Sequence, residues 1–342
     1  MTAGQNPPAM LILAIETSCD ETSAAVVVDG RRTLSNVISS SQQFHVRFGG
    51  IVPEIASRKQ VEVISPVISQ ALEQAGVEWG DIEAVAVTNR PGLIGSLVVG
   101  LCAAKAIAWA RGIPLVGVNH LEGHMAANLL LDPPPAFPAV SLVVSGGHTD
   151  LALMEAPGRY QILGRTRDDA AGEAFDKAAR LLGLGYPGGP AIDSLAREGN
   201  RAVIAFPRAL LPDSWDFSFS GLKTALARYL RDTRESDRPP VADLAASFQE
   251  ALVEVLVTKS LLACEQTGVP RLLVSGGVAV NSRLRELLHE RAADFGVEVS
   301  IPPPVLCTDN AAMVAAAAWP RLQRGRYDDL HLDVYASTHH KH

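Results

Sequence analysis

Short apolar runs alternate with polar turns along most of the chain, and their order repeats on a large scale. Leu11-Ile-Leu-Ala-Ile15 is an unbroken apolar run of strand length. Glu16 to Thr22 are small and polar and predict a turn. Residues 23–28 and 33–39 predict two further strands that complete a meander. Residues 51–75 carry helical apolar spacing, with Pro53 suited to the first helical position. A strand over 81–88, a turn at Asn89-Arg-Pro-Gly92 and a helix over 95–109 follow. A strand over 113–118 then runs into a helix that Asp132 and the prolines 133–135 halt.

After those prolines the pattern restarts. Residues 139–144, 151–154 and 160–165 predict a second three-strand meander, with the polar turn Ser145-Gly-Gly-His-Thr-Asp150 in its first bend. Helices over 173–182, 219–231 and 241–266 come next. A strand over 271–274, a helix to 293, a strand over 297–301 and a helix over 309–323 close the series. Two halves that each run three strands and then alternate helix and strand predict a duplicated α/β fold of two lobes with a central cleft. The expected division is a disordered lead-in over 1–9, a first lobe over 10–137, a second over 138–324 and a loose polar tail over 325–342.

Composition narrows the class. The 342 residues are 47% hydrophobic and 20% charged, the balance of a globular protein of two domains. A net charge of −7 gives no overall cationic field, so a nucleic acid must meet a local basic patch or a basic partner subunit. Cys19, Cys102, Cys264 and Cys307 are scattered, without Cys-x-x-Cys spacing, and suit a reducing cytosol. The first apolar run is too short for a signal segment, and the chain reads as cytoplasmic. Residues 93–110 are apolar enough to suggest a membrane span. Gly95, Ser96, Gly100 and Lys105 interrupt them and favour a buried helix and no membrane.

Candidate chemistry centres on Asn119-His-Leu-Glu-Gly-His124. His120 and His124, four apart on a helix at roughly 100° per residue, point the same way and can share one metal ion. Two helix-surface histidines with water or carboxylate partners give the same spacing. A zinc peptidase wants Glu directly after the first His; Leu121 stands there, and Glu122 points to the back of the helix. The turns at 16–22 and 145–150 offer N–H groups and hydroxyls to a phosphate, or simply reverse the chain. Ser275-Gly-Gly precedes a helix and offers its N–H groups likewise. Asp168, Asp169, Glu173 and Asp176 form either a solvated face or part of a site. Pro187-Gly-Gly-Pro190 predicts a rigid loop ending on Asp193, an acid able to hold ribose hydroxyls. Asp309 precedes an Ala-rich helix, as an N-cap would.

Nine blocks in order resemble the bacterial form of the tRNA N6-adenosine threonylcarbamoyltransferase family, once described as O-sialoglycoprotein endopeptidases. They are Ile15-Glu-Thr-Ser-Cys-Asp-Glu-Thr22, Gly49-Gly-Ile-Val-Pro-Glu54, Asn119-His-Leu-Glu-Gly-His124, Val144-Ser-Gly-Gly-His-Thr149 and Asp168-Asp-Ala-Ala-Gly-Glu-Ala-Phe-Asp-Lys177. Tyr186-Pro-Gly-Gly-Pro190, Asp216-Phe-Ser-Phe-Ser-Gly-Leu-Lys-Thr224, Ser275-Gly-Gly-Val278 with Asn281, and Cys307-Thr-Asp-Asn-Ala-Ala-Met313 complete the set. The resemblance implies the actin, sugar kinase and chaperone ATPase fold. It implies transfer of threonylcarbamoyl from threonylcarbamoyl-AMP to the N6 amine of the adenosine next to the anticodon, in tRNAs reading codons that begin with A. It also implies one iron or zinc per subunit on His120, His124 and Asp309. Val143, Val144, Ser145, Gly146, Gly147, Asp176, Gly189, Asp193 and Asn281 would contact the adenylate, and Asp20 is the further functional acid. The implied partners are tRNA, a paralogous subunit of the same fold and a small P-loop ATPase.

Departures from the family pattern are few. Gln60 stands where the family often has His, so no ligand or base role is assigned there, and Arg90 replaces a usual Gly. No kinase domain follows, which points to the bacterial rather than the fused form. A small-molecule kinase or ATPase of the same fold would leave the His pair and Asp309 without purpose, and a scaffold paralogue would have lost them. Arg58, Lys59, Arg165, Arg167 and Lys223 flank matched blocks and are the candidate tRNA contacts. The helices near 53–75 and 95–110 carry more apolar residues, Val61 and Ile68 among them, than one buried stripe takes. They form either a docking face for a partner or a doubly buried core.

Overall fold

The computed structural model describes residues 9–337. The lead-in expected over 1–9 lies outside them, apart from Ala9. The first half runs β1 (Leu11–Glu16), β2 (Glu21–Val28), β3 (Arg32–Ser40), a short α1 (Gln42–His45), α2 (Pro53–Ala75), β4 (Ala84–Arg90), α3 (Ile94–Arg111), β5 (Leu115–Asn119) and α4 (His120–Ala126). The second runs β6 (Ala139–Val144), β7 (Thr149–Ala156), β8 (Arg159–Arg165), α5 (Ala171–Leu181), α6 (Gly188–Ala196), α7 (Ser220–Asp232) and α8 (Val241–Thr267). It ends with β9 (Arg271–Ser275), α9 (Ser282–Ala292), β10 (Glu298–Ser300), α10 (Pro304–Cys307) and α11 (Ala311–Leu322).

The two sheets have the same topology. One is ordered β3-β2-β1-β4-β5 and the other β8-β7-β6-β9-β10. In each, three antiparallel strands are followed by two parallel ones, β4 and β5 or β9 and β10. The duplication expected from the repeated meander is therefore present. The chain divides into two compact units, one holding residues up to 43, 52–134 and from 309 on, the other 44–51 and 135–308.

In the first unit, Ile64, Ile68 and Leu72 of α2 and Leu101 of α3 pack on Leu13, Ile15, Val26, Val85 and Val87 of the sheet. The helix α11 packs against β1, β2 and α4. The expected division put residues 309–324 in the second lobe, but they return to the first unit. In the second unit, α8 is buried along most of its length among α5, α6 and α9, with Phe175, Phe248, Leu252 and Leu256 at its centre.

Two expectations fail for physical reasons. The Gly-Gly-Pro segment at 188–190 starts α6 rather than forming a loop, because proline is tolerated in a first turn and Asp176 accepts from the Gly188 N–H (2.7 Å). The tail is not loose over 327–335. Asp328 donates its N–H to Leu115 O and accepts from Gly117 N, each at 2.8 Å. Arg321 reaches Gly117 O and the Asp328 carboxylate, each at 2.9 Å. Leu332 and Val334 pack on the first core. The strap thereby satisfies the outer edge of β5, which would otherwise present unpaired N–H and C=O groups.

Candidate metal centre and substrate-binding turn

The end of β5 feeds directly into α4. Asn119 caps that helix, its side chain accepting from Leu121 N at 2.9 Å, which places His120 and His124 one turn apart. Their ring centroids are 4.6 Å apart. Asp309, just before α11, brings its Oδ1 to 3.2 Å from His124 Nε2 and 3.6 Å from His120 Nε2. The cap of α11 is Asn310, which accepts from Met313 N at 3.1 Å, so Asp309 is released from that role. One ligand atom from each of the three residues fits within 4.8 Å.

The donor set fits a metal ion. His124 is fully buried, and among the described residues neither of its ring nitrogens has a hydrogen-bond partner. Burying such groups is costly unless something compensates them. His120 Nδ1 lies 3.3 Å from Glu16 Oε2 and 3.2 Å from Ser18 Oγ. A proton on Nδ1 donated to Glu16 turns the Nε2 lone pair toward Asp309 and His124, the usual way a carboxylate orients a metal-binding imidazole. Burial pushes the His120 pKa down, yet the carboxylates of Asp309 and Glu16 hold it up at about 9, so the cluster attracts positive charge. Two imidazoles and one carboxylate suit iron or zinc.

Glu16 was not singled out by the sequence, although it lies within the 16–22 turn. It is wholly buried, accepting from Ser18 N (2.5 Å) and the Thr88 hydroxyl. The turn is otherwise anchored inward. Thr17 Oγ1 donates to Ser96 O at 2.8 Å, and Ser41 donates its N–H and hydroxyl to Asp20 O, each at 2.9 Å. Gln60 Nε2 donates to Cys19 O and Glu21 O at 3.0 and 2.9 Å, giving that departure from the family pattern an anchoring role. The Thr17 and Ser18 hydroxyls are thus not offered to a phosphate. Burial, then the Asp309 and Asp20 carboxylates, push the Glu21 carboxyl well above the usual range.

The second group of sequence candidates lies in the second unit. Val143 and Val144 are buried in β6, Ser145 is nearly buried, and Gly146 and Gly147 are exposed with open space where a side chain would stand. The turn is closed by Ser145 N to His148 O at 2.8 Å and backed by Gly172 N, which donates to Ser145 O at 3.1 Å. Gly276 lies directly against Val144 O. Asp193, on α6 with Gly189, accepts from Ser282 N (3.2 Å) and Oγ (2.7 Å). Asn281 caps α9 and donates to Gln249 Oε1 at 2.7 Å. The candidates Asp176, Gly189, Asp193 and Asn281 are therefore linked through α6 and the start of α9.

The acidic block at 168–176 is not a plain solvated face. Asp168 accepts from the Ser218 and Ser220 hydroxyls (both 2.6 Å) and from the N–H groups of Phe219 (2.8 Å) and Ser220 (3.2 Å). Partial burial raises its carboxyl pKa, but these donors outweigh it and bring it down to about 2. Lys177 bridges Asp169 (2.6 Å) and Glu173 (2.8 Å).

A family model described as tRNA N6-adenosine threonylcarbamoyltransferase matches residues 32–316. A protein of that name from Syntrophus aciditrophicus is 55% identical over 326 residues, covering 95% of this chain and 96% of the relative. Another, from Pelobacter propionicus, is 57% identical over 332 residues, covering 96% and 97%. Among solved structures, full-length HypF in its phosphate- and nucleotide-bound form aligns with a TM-score of 0.62 at 14% identity, over 93% of this chain and 56% of that one. The Acidaminococcus fermentans (R)-2-hydroxyglutaryl-CoA dehydratase component A aligns with a TM-score of 0.54 at 16% identity, over 92% and 99%. At those identities the structural matches speak for the fold alone.

Proposed function

Because the chain belongs to the tRNA N6-adenosine threonylcarbamoyltransferase family, we propose that it modifies the adenosine next to the anticodon in tRNAs reading codons that begin with A. The donor is threonylcarbamoyl-AMP. The N6 nitrogen bonds to the carbamoyl carbon, the bond from that carbon to the phosphate oxygen breaks, AMP leaves and N6 loses one proton. Its lone pair is delocalised into the ring, so the amine is a poor nucleophile and the carbonyl of the donor needs activation.

In this reading Val143 to Gly147, with Asp176, Gly189, Asp193 and Asn281, hold the adenylate. The exposed backbone N–H groups of Gly146 and Gly147 donate to developing negative charge. Asp20 takes the amine proton. Glu16 orients His120. One iron or zinc per subunit on His120, His124 and Asp309 would supply Lewis acidity toward a substrate oxygen. The observation that carries the metal-dependent part is the buried His124 ring, whose nitrogens have no hydrogen-bond partner among the described residues and whose Nε2 lies 3.2 Å from the Asp309 carboxylate.

The test is direct. Purified protein with partner subunits, synthetic threonylcarbamoyl-AMP and unmodified tRNA should yield threonylcarbamoyladenosine by mass spectrometry of nuclease digests, and a chelator should stop it. Magnesium- and ATP-dependent phosphorylation of a small molecule, with no requirement for a metal at His120, His124 and Asp309 and no modified nucleoside, would reverse the assignment. The named relatives favour transfer over that kinase alternative, and Leu121 speaks against a peptidase.

The partners we propose are a paralogue of the same fold and a small P-loop ATPase, in the cytoplasm. Support comes from α2 and α3, where Val61 (64% exposed), Ile94, Val98 and Trp109 (75%) leave apolar surface uncovered. The helix α3 is long and apolar enough to cross a membrane, yet its Leu97, Leu101, Ala104 and Ala108 are buried in the unit. Ile68, offered by the sequence as part of the outer face, is 4% exposed and belongs to the core. Val61→Glu is therefore expected to abolish partner capture with an unchanged melting temperature. Ile68→Glu, which buries a charge in place of about 2 kcal/mol of apolar transfer, should instead lower the melting temperature sharply. Full partner capture by Val61→Glu in a pull-down would move the docking site elsewhere.

A further inference from the structure

We infer that the outward face of α7 is a contact for the phosphate backbone of tRNA, a proposal that rests on the tRNA-directed function above. The helix buries Leu222 and Leu226, with Tyr229 and Leu230 packed on the same core. Its opposite face exposes Thr224, Arg228 and Arg231, and Arg234 follows just past the helix end, also exposed. Thr224, Arg228 and Arg231 fall at intervals of four and three and so share one side of the helix. The Thr224 hydroxyl donates to Ser220 O at 2.8 Å. Arg234 lies beyond Thr233, where the backbone turns extended.

On α7 itself Arg228 and Arg231 stand against one carboxylate, Asp232, a small cationic surplus in a chain of net charge −7. The exposed Glu235 and Asp237 follow Arg234 past the helix end. The cations that the sequence picks out for tRNA are each committed to a carboxylate. Arg58 lies 2.6 Å from Glu54, Lys59 2.8 Å from Glu62 and Arg167 2.8 Å from Asp216. Arg165 lies 3.8 Å from Asp150, and Lys223 4.0 Å from Asp169. On α7, Arg231 shares its charge with Asp232 at 2.7 Å. Among the described residues no carboxylate lies within ion-pairing distance of Arg228 or Arg234. A phosphate contact there displaces water and counterions without first breaking an ion pair.

The position of the helix ties the surface to the chemistry. Asp168 fastens the start of α7 through Phe219, Ser218 and Ser220, and the N-terminus of α5, which follows Asp168, backs the Ser145–Gly147 turn. A backbone held along α7 is thus anchored to the segment that supports the proposed adenylate turn, within one unit.

The experiment is fluorescence anisotropy of the full chain with an unmodified full-length tRNA transcript across a potassium chloride series. The wild type should bind weakly and with a steep salt dependence. Arg228→Glu with Arg231→Glu and Arg234→Glu should weaken binding by about tenfold or more and reduce the log–log salt slope by about two to three, near one per lost phosphate contact. The triple lysine variant should keep the slope, and a triple glutamine variant gives the same loss without new negative charge. Metal content and circular dichroism should stay as in the wild type. An unchanged affinity and slope would overturn the proposal. So would loss of partner-protein capture with tRNA binding intact, which would assign the face to an acidic protein. A wild type that neither binds nor modifies tRNA, with partners present, would overturn the underlying function, a failure visible before any variant is compared.

Discussion

His124→Ala should leave a folded protein that holds no metal and transfers nothing. The wild-type imidazole is buried without a hydrogen-bond partner among the described residues, so its removal takes away no protein hydrogen bond. Alanine is the best helix former and suits the interior of α4. The remaining donors are His120 and Asp309, and two donors hold a divalent ion far less well than three. Elemental analysis after dialysis, circular dichroism and the transfer assay read the three consequences separately. Full metal occupancy in this variant would sink the ligand assignment. Glu16→Gln grades the same argument: the ring keeps an acceptor but loses a charge, and metal affinity should fall about 10- to 100-fold. Metal binding unchanged in Glu16→Gln would leave Glu16 with a packing role only.

Much of the fold was legible because period and punctuation agree. The two meanders, the long helices α2 and α8 and the histidine helix all have strong local patterns, and local patterns survive folding. What the sequence hid depends on distance along the chain. The family resemblance pairs Asp309 with the histidines, but no local period or turn signal does: it meets His124 because α11 returns to the first unit. Its neighbour Asn310 takes the cap, a choice between adjacent polar residues that propensity does not resolve. Glu16 reads as a turn residue until β4 and α4 bring Thr88 and His120 to it. The strap over β5 sends Leu332 and Val334 to the first core, but its hold on the strand edge comes from the Asp328 carboxylate and backbone, which no apolar period announces. The helix α6 was masked by glycine and proline in its first turn, where both are tolerated.

The paired glycines after β9 make opposite demands, and that contrast gives the sharpest remaining test. Gly276 has φ 95° and ψ 160°, a region essentially reserved for glycine. A Cβ there would lie 2.2 Å from Val144 O and 2.6 Å from Val144 C, backbone atoms of the central strand β6 that cannot swing aside. Gly277 has nothing within 4 Å of the same position. Gly276→Ala should therefore cost about 3 kcal/mol or more, and lower the melting temperature by roughly 6 °C or more for a unit of this size. The strain falls on Val144, one residue before the Ser145–Gly147 turn, so binding of threonylcarbamoyl-AMP should weaken in calorimetry even where the protein still folds. Gly277→Ala should match the wild type in melting temperature. Its affinity reports whether the ligand comes close to that backbone: full affinity means open solvent there, and lost affinity means contact. A Gly276→Ala protein that melts and binds like the wild type would show that β6 and the turn behind it are not fixed by this close approach.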